Sequence, residues 1–266
     1  LEYAFADGFS KLTKPKRRKI AILKGNKQLE DKYIADFVKK LGEYYYIAPF
    51  TLDSVSQSPQ KTLEGINAFD LIISAKPTEA FTEEEKLVLD QYTMNGGKSL
   101  WLVDAIAMEK DSLYNDRGSN VGIPRDLNLT DFFFKYGVRI NPVMVSTLFS
   151  APITLAMGEG SQSQFQHLKW TYSPLAGSSS NHPIVNNINL VKFDFANQID
   201  TLKNAVKKTI LLQSDKPSRI ENKFNTLFNC FSVFFKSCIS DDCFLISSIK
   251  HYNSFCTFSN RTSNNI

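Results

Sequence analysis

Few residues in this chain of 266 combine the types and spacings that catalysis or metal binding requires. His167 and His182 are 15 residues apart, and neither has a second ligand at helical spacing, which argues against a zinc site. The Gly-x-Ser-x-Gly sequence of an α/β-hydrolase nucleophile elbow does not occur. All 4 cysteines follow residue 220, so the first 220 residues contain neither a cysteine nucleophile nor a thiolate metal site.

The sequence LDQYTMNGGKSLWLVD at residues 89–104 raises the question of a phosphate-binding loop. In such loops the glycines follow a strand and open a helix, so that free N–H groups face the anion. Here the order is reversed, because an amphipathic helix precedes the glycines and an apolar run follows them. We therefore interpret Asn95–Gly97 as a helix stop and Lys98–Val103 as a strand.

Strand and helix patterns alternate through the first hundred residues. Short apolar runs predict strands, and apolar residues at helical spacing predict helices between them. In chain order the predicted elements are strand 18–24, helix 29–41, strand 44–51, helix 60–66, strand 70–74, helix 82–94 and strand 98–103. Thr82 and Glu85 have the spacing of a capping box. Asn128 is a candidate cap for a helix containing Phe132–Tyr136, which Gly137 would end.

This alternation predicts an α/β fold, with a mostly parallel sheet and helices on both faces, of a Rossmann-like or amidotransferase-like type. After Asp104 the pattern becomes β-rich, with further strands predicted at 138–140, 144–157, 190–195 and 209–212. The predicted organisation is a lead-in at 1–17, an α/β domain at 18–150, and a β-rich C-terminal extension of the same domain at 151–220. That extension either completes the sheet or adds a small β-layer.

A ligand site in such a fold lies at the carboxyl ends of the strands. Asp104 occupies such a position, although a cap for the next segment is the simpler role for it. Sheet geometry alone gives six candidate ligand-binding positions: Lys24, Gly25, Asn26, Ser74, Lys76 and Asp104. Trp170 and Tyr172 are either partner contacts or core residues. No cofactor is predicted.

Charge and hydropathy restrict the partner classes. The net charge is +4, and the densest basic run is Lys14–Lys19. Such a run is compatible with nucleic acid or anionic lipid, but no aromatic side chain interleaves with it, and a solvated lead-in to the first strand is the simpler interpretation. We predict no nucleic-acid partner. No apolar stretch reaches the roughly 20 residues of a membrane helix.

Residues 221–266 differ in composition from the rest of the chain. They contain 8 Phe, 8 Ser, 7 Asn and 4 Cys but no Ala, Gly or Pro. Folded segments normally need such turn residues. We interpret this tail as frameshifted or disordered; a genuine cysteine-rich module is the alternative.

Three segments carry a family resemblance: 29–52 (LEDKYIADFVKKLGEYYYIAPFTL), 76–104 (KPTEAFTEEEKLVLDQYTMNGGKSLWLVD) and 124–142 (PRDLNLTDFFFKYGVRINP). They resemble the GldG family of gliding-motility proteins from Bacteroidetes, which are auxiliary, substrate-binding components of ABC-type transport systems. The resemblance extends from residue 1 to about residue 214. It carries no catalytic residues.

The resemblance implies a non-enzymatic protein on the periplasmic side of the inner membrane, working beside an ABC ATPase and a permease. It also implies a membrane anchor that this truncated chain lacks, so that the piece itself is expected to be soluble. The ligand is not identified. Two alternatives stay open: a stand-alone interaction scaffold, and a degenerate amidotransferase-like enzyme, whose nucleophile would belong where Asp104 stands.

Overall fold

The computed structural model describes residues 2–13, 15–110, 120–157, 164–178, 182–215, 218–221 and 225–226. The chain divides into two compact units. Among the described residues, unit 1 contains 2–103 and 127–132, and unit 2 contains 104–126 and 133–226. The domain limits predicted from the sequence, 18–150 and 151–220, divide the chain differently from these two units, and they stay a prediction. Within the described ranges, no helix has the length and apolar character to cross a bilayer.

Unit 1 is built on a four-stranded parallel sheet, as the sequence predicted. The strands are β1 (Lys19–Lys24), β2 (Tyr46–Thr51), β3 (Leu71–Ala75) and β4 (Lys98–Leu102), in the spatial order β2-β1-β3-β4. Consecutive residues of β1, such as Ile20 and Ala21, are both buried. Since neighbouring side chains of a strand point to opposite faces, the sheet is covered on both faces.

The helices of unit 1 are α1 (Glu2–Thr13), α2 (Asp31–Gly42), α3 (Pro59–Asn67) and α4 (Glu83–Met94). The patterns for α2, α3 and α4 predict them to within two residues at each end, whereas no helix is predicted in the lead-in at 1–17, where α1 lies. Because parallel crossovers are right-handed, the strand order puts α2 on one face and α3 with α4 on the other. Consistent with this, α3 packs against α4.

The predicted ends of α4 are confirmed. The Oγ1 of Thr82 accepts the Glu85 N–H at 3.2 Å, and the Glu85 carboxylate accepts the Thr82 N–H at 2.8 Å, which completes the capping box. At the other end Asn95 is the C-cap, and Gly96 adopts a φ of +92°. The Gly-Gly pair is therefore the corner between a helix and a strand, and not a phosphate loop.

Residues 127–132 return to unit 1 after the intervening segment. Leu127, Leu129 and Phe132 are buried, and Phe132 packs on Trp101 with 5.5 Å between ring centroids. Asn128, the predicted cap of the following helix, lies two residues before α5 (Thr130–Lys135), and its capping role stays a prediction. Its side-chain amide donates to the Phe81 carbonyl and to Glu83, both at 2.9 Å, so it also serves the start of α4.

Unit 2 is antiparallel throughout the described residues. Its longest strand, β8 (Val138–Ser146), pairs with β13 (Asn197–Thr201) on one side and β15 (Arg219–Glu221) on the other. The remaining elements are β5 (Ile106–Ala107), β6 (Asn120–Val121), β7 (Ile123–Pro124), α5 (Thr130–Lys135, shared with unit 1), β9 (Ile153–Met157), β10 (Gln164–Leu168), β11 (Leu175–Gly177), β12 (Val191–Lys192), β14 (Gln213–Ser214) and β16 (Asn225–Thr226).

Two strands predicted in unit 2 are corrected. The alternating run 190–195 forms only the two-residue β12, because Phe195 turns the chain with a φ of +54°. The run 209–212 is irregular and leads into β14. Leu211 and Leu212 are buried with Phe193 in one core cluster, so these patterns marked burial and not strand pairing. The 4 cysteines and residues 227–266 lie outside the described residues.

Candidate functional site

The strand order of unit 1 creates a switch point between β1 and β3. The chain passes from β1 to β2 on one side and then returns across β1 to β3 on the other. In open parallel sheets ligands bind outside the carboxyl ends of the strands at such a point, because the two loops leave in opposite directions there. Lys24–Asn26 and Ser74–Lys76, five of the six predicted site residues, stand on its two sides.

Backbone hydrogen bonds connect the two loops across this switch point. The Leu29 N–H donates to the Ala75 carbonyl at 3.0 Å. The Asn26 carbonyl accepts the N–H groups of Thr78 and Glu79 at 3.0 and 3.2 Å. The loop after β1 (residues 25–30) and the loop after β3 (residues 76–82) are therefore joined. We name these loops, together with Lys24 and Ser74 at the strand ends, the carboxyl-edge site.

The Asn26 side chain links the carboxyl-edge site to the start of α4. It is only 6% exposed. Its Nδ2 donates to Glu85 Oε2 at 3.1 Å, and its Oδ1 accepts from Gln28 Nε2 at 3.3 Å. Because Glu85 also belongs to the capping box, the same carboxylate fixes both the helix start and the loop. The sequence placed Asn26 at the site but gave no sign of this connection.

The backbone of the carboxyl-edge site is unusual for its residue types. Gly25 has a φ of +126°, which favours glycine, whereas a Cβ there would lie 3.1 Å from Asp53 Oδ1, a tight contact that the exposed Asp53 side chain can relieve. Lys27 and Lys76 adopt φ values of +44° and +51°. Left-handed conformations cost free energy for residues with a Cβ, and they cluster at binding and catalytic sites.

The lysines of the carboxyl-edge site are anchored differently. Lys24 Nζ bonds Asp31 at 2.7 Å and the Leu29 carbonyl at 3.1 Å, so its ammonium holds the start of α2. Lys27 forms an exposed ion pair with Glu79 at 2.5 Å. Lys76 is 4% exposed. The Lys27–Glu79 pair therefore presents charge to solvent on the rim, as do Glu30 and Asp31 at the start of α2.

Two buried polar atoms of the carboxyl-edge site have no hydrogen-bond partner among the residues that the structure describes. They are the Ser74 Oγ, at the end of β3, and the Gln28 Oε1, in the loop after β1. A buried polar atom without a partner costs about 1–3 kcal/mol. An ordered water or a bound molecule can supply the missing partner.

A buried lysine lies beside this site at the start of α4. Lys86 Nζ contacts Glu83 at 2.8 Å, Asp131 at 2.9 Å and Asn128 Oδ1 at 3.3 Å. Burial by itself lowers the Lys86 pKa, but the hydrogen bonds that Lys86 donates to the carboxylates of Glu83 and Asp131 outweigh it, and the pKa is raised. The hydrogen bond from Lys86 lowers the pKa of Asp131. This cluster joins residues 127–132 to α4.

Asp104, the sixth predicted residue, belongs to unit 2 and is 4% exposed. The next residue is held by Asn197, whose Oδ1 accepts the Ala105 N–H at 2.8 Å and whose Nδ2 donates to the Val143 carbonyl at 3.0 Å. Asn197 is completely buried. No sequence pattern marks Asn197, because one asparagine in a strand-like segment carries no motif.

The other chemical candidates are structural in their surroundings. His167 Nδ1 bonds Thr154 Oγ1 at 2.8 Å on the exposed β9–β10 pair. Trp170 packs edge-on against Tyr172 and Phe195 in a core cluster, which favours the core interpretation of these aromatics. Across the described ranges, no three His, Cys, Asp or Glu side chains come together in a metal-binding group.

A comparison with protein families matches residues 17–229 to the auxiliary-protein family described as "ABC-type uncharacterized transport system". The chain belongs to this family. The match covers the parallel sheet, the carboxyl-edge site and nearly all described strands of unit 2. An auxiliary role in an ABC-type transport system is thereby established at the family level, and such a role favours a non-enzymatic protein.

Among solved structures, the chain resembles the "mmIFT52 N-terminal domain". The TM-score is 0.50 at 17% identity, with 75% of this chain and 74% of that chain covered. At this identity the likeness concerns the fold alone. No match was found among curated proteins. For this member of the ABC auxiliary family, evidence about binding therefore comes from the residues themselves.

Proposed function

We propose that this ABC auxiliary protein is a non-enzymatic, extracytoplasmic component of a transport system linked to gliding motility, of the GldG type found in Bacteroidetes. The family match over residues 17–229 is the observation that carries the proposal. The resemblance of segments 29–52, 76–104 and 124–142 supports the narrower assignment. The protein acts on the periplasmic side of the inner membrane.

In this proposal the work is divided among subunits. An ABC ATPase hydrolyses nucleotide, a permease forms the passage, and this protein binds a ligand or docks on those subunits. The sequence supports that division, because its one Gly-Gly-Lys segment closes a helix and leaves no N–H groups free for a phosphate. No cofactor is required for such a role.

The binding surface that we assign is the carboxyl-edge site. It combines the switch-point position, two lysines in left-handed conformation, and the partnerless atoms of Ser74 and Gln28. A ligand or partner loop that offers a donor to Gln28 Oε1 and a polar group to Ser74 Oγ would satisfy both atoms. The Lys27–Glu79 pair on the rim would meet it first.

The test is an affinity pull-down from native membranes, with the full chain as bait. We expect an ABC ATPase and a permease to be recovered. Recovery of neither subunit with a folded bait would contradict the transport role and leave a free-standing scaffold or an enzyme.

A charge-swapped bait tests the carboxyl-edge site within the same experiment. In the double variant Lys27→Glu/Glu79→Lys the rim ion pair is kept but its polarity is reversed, so the fold is retained. We expect partner recovery to fall by about tenfold, since reversed charges across an interface are costly. The double variant Lys39→Glu/Glu64→Lys, exposed on α2 and α3, is the control. Equal recovery with both baits would show that the partners bind outside the carboxyl-edge site.

A further inference from the structure

The first helix carries an exposed apolar stripe. Phe5, Phe9 and Leu12 of α1 follow one another at spacings of 4 and 3 residues, which puts them on one helix face. Their side chains are 63%, 64% and 86% exposed. Three large apolar residues in a row are not explained as isolated surface residues, and a contiguous exposed apolar surface indicates an interaction site.

The opposite face of α1 is held to the rest of unit 1 by polar contacts. Lys11 bonds Asp7 and Glu43, each at 2.6 Å, and its ammonium lies 5.1 Å from the Tyr44 ring centroid. The Tyr44 hydroxyl donates to Asp7. At about 100° per residue, Asp7 and Lys11 are roughly opposite the apolar stripe. The stripe therefore points away from unit 1.

Basic and aromatic side chains continue this surface at the amino ends of the strands. Lys16, Arg17, Arg18 and Lys19 are all exposed. Tyr46, 56% exposed, pairs with Lys19 across β1 and β2. The nearby carboxylates are engaged: Asp7 and Glu43 with Lys11, and Asp70 with the Lys19 N–H at 2.8 Å. We name the stripe, the basic run 16–19, Tyr44 and Tyr46 the amino-edge surface.

We propose that the amino-edge surface lies against an anionic lipid bilayer, with Phe5, Phe9 and Leu12 inserted among the headgroups. A helix with an exposed apolar face binds in the plane of the membrane interface when basic residues accompany it. Here the run 16–19 supplies them, because α1 itself carries one basic residue, Lys11, beside Glu2 and Asp7. Tyrosines are enriched at the same depth. Charge complementarity selects the occupant, because basic side chains attract anionic headgroups. A nucleic acid would use the basic run but would leave the apolar stripe in water. The inference does not depend on any transporter subunit.

Vesicle co-sedimentation tests this proposal with the full chain. Vesicles of phosphatidylcholine with a quarter phosphatidylglycerol are compared with phosphatidylcholine alone, at low and at 0.5 M salt. We expect at least about tenfold stronger binding to the anionic vesicles, and most of it lost at high salt. Phe5→Gln/Phe9→Gln/Leu12→Gln and Arg17→Glu/Arg18→Glu should each weaken binding about tenfold or more.

Two control variants away from the amino-edge surface show whether the loss of binding is specific to that surface. Leu87→Gln/Met94→Gln removes exposed apolar residues from α4, and Lys39→Glu/Lys61→Glu reverses exposed charges on α2 and α3; both should bind like the parent chain. Circular dichroism checks that the α1 variant folds, and a second variant, Leu12→Gln alone, should give an intermediate loss. Equal binding to neutral vesicles, preference for an oligonucleotide, or stripe-dependent dimerisation in sedimentation velocity would each overturn the proposal.

Discussion

The Ser74 hydroxyl is buried at the end of β3 without a hydrogen-bond partner among the described residues. Removing it by Ser74→Ala should leave the free energy of unfolding unchanged or raise it by up to about 1 kcal/mol, because a desolvation cost disappears. Urea denaturation checks this expectation. A loss of more than about 1 kcal/mol would show that the hydroxyl has a stabilising role in the free protein.

The Asp131 carboxylate gives a second prediction at the scale of the residue. Its pKa is lowered in the folded protein by the hydrogen bond from Lys86. Its stabilisation is therefore present above the unfolded pKa of about 3.9 and is lost as the pH falls through the lower folded value. Asp131→Asn should reduce stability at pH 7 by about 0.5–1 kcal/mol, since the group is largely exposed.

Denaturation at several pH values between 2 and 7 measures this effect. The Asp131→Asn protein should lose less stability than the parent between pH 4 and pH 2. Asp36→Asn, an exposed carboxylate on α2, is the control. Identical acid profiles for the parent and for Asp131→Asn would contradict the assignment. On the alkaline side, the Lys86 contribution is present below about pH 10.4 and is lost as pH rises through its raised pKa.

At the scale of the element, the two glycines at the corner between α4 and β4 differ in the space around them. A Cβ at Gly97 would lie 2.3 Å from the Tyr92 ring, whereas one at Gly96 meets nothing within 4 Å. Tyr92 is 1% exposed, its hydroxyl donates to the Phe69 carbonyl at 3.0 Å, and burial raises its pKa to about 12. The ring has no room to move.

We therefore expect Gly97→Ala to destabilise by about 2–4 kcal/mol through this overlap. Gly96→Ala should cost about 1 kcal/mol, for its positive φ alone. Chemical denaturation of the two variants compares them directly. A larger cost at Gly96 than at Gly97 would mean that Tyr92 yields and that backbone conformation dominates the corner.

The capping box of α4 gives a further prediction for an element. Thr82→Ala removes the acceptor for the Glu85 N–H and should cost about 1 kcal/mol. Thr82→Ser keeps the hydroxyl and should cost less than half as much. Both values come from the same denaturation assay. An equal loss in the two variants would assign the effect to the Thr82 methyl group and not to the cap.

Local sequence patterns predicted most elements of unit 1, most securely where two features of the sequence agreed. α4 had both an apolar face and a capping box, and β4 had both an apolar run and a preceding glycine stop. The run 209–212 had only apolar residues, and tertiary packing used them for burial instead. Asn128 is a residue type that often caps helices, but its side-chain amide donates to Phe81 and Glu83, more than 40 positions away in the chain.

The position of the candidate site could be predicted from the sequence, but the hydrogen bonds within it could not. Ends of parallel strands meet at one edge, so Lys24–Asn26 and Ser74–Lys76 were expected to be neighbours. The switch point depends on strand order, which alternating patterns do not determine. The bond from Asn26 to Glu85 and the role of Asn197 depend on side-chain directions in space. No sequence pattern encodes those at separations of 59 and 92 residues.

At the scale of the whole molecule, the two tryptophans report on different units. Trp101 is buried in unit 1, and Trp170 is in a core cluster of unit 2. Asn197→Ala leaves the Ala105 N–H and the Val143 carbonyl without their side-chain partner, and should cost unit 2 about 2–3 kcal/mol.

Single-tryptophan proteins follow this loss by fluorescence during urea denaturation. With Trp101→Phe, the Trp170 signal should show a clearly lowered midpoint in the Asn197→Ala background. With Trp170→Phe, the Trp101 midpoint should fall by less. Equal shifts of both midpoints would mean that the two units unfold as one cooperative system.

Because residues 127–132 complete unit 1, the order of synthesis matters for this chain. When residue 103 leaves the ribosome, all four strands of the parallel sheet have been synthesised, but Leu127, Leu129 and Phe132 have not yet emerged. At about 5–20 residues per second, the 29 residues from Asp104 to Phe132 take roughly 1.5–6 s to follow. Until then Trp101 lacks its contact with Phe132 and Phe81 its hydrogen bond to Leu127, so any sheet formed early exposes an apolar surface that a chaperone on the synthesis or export route would bind.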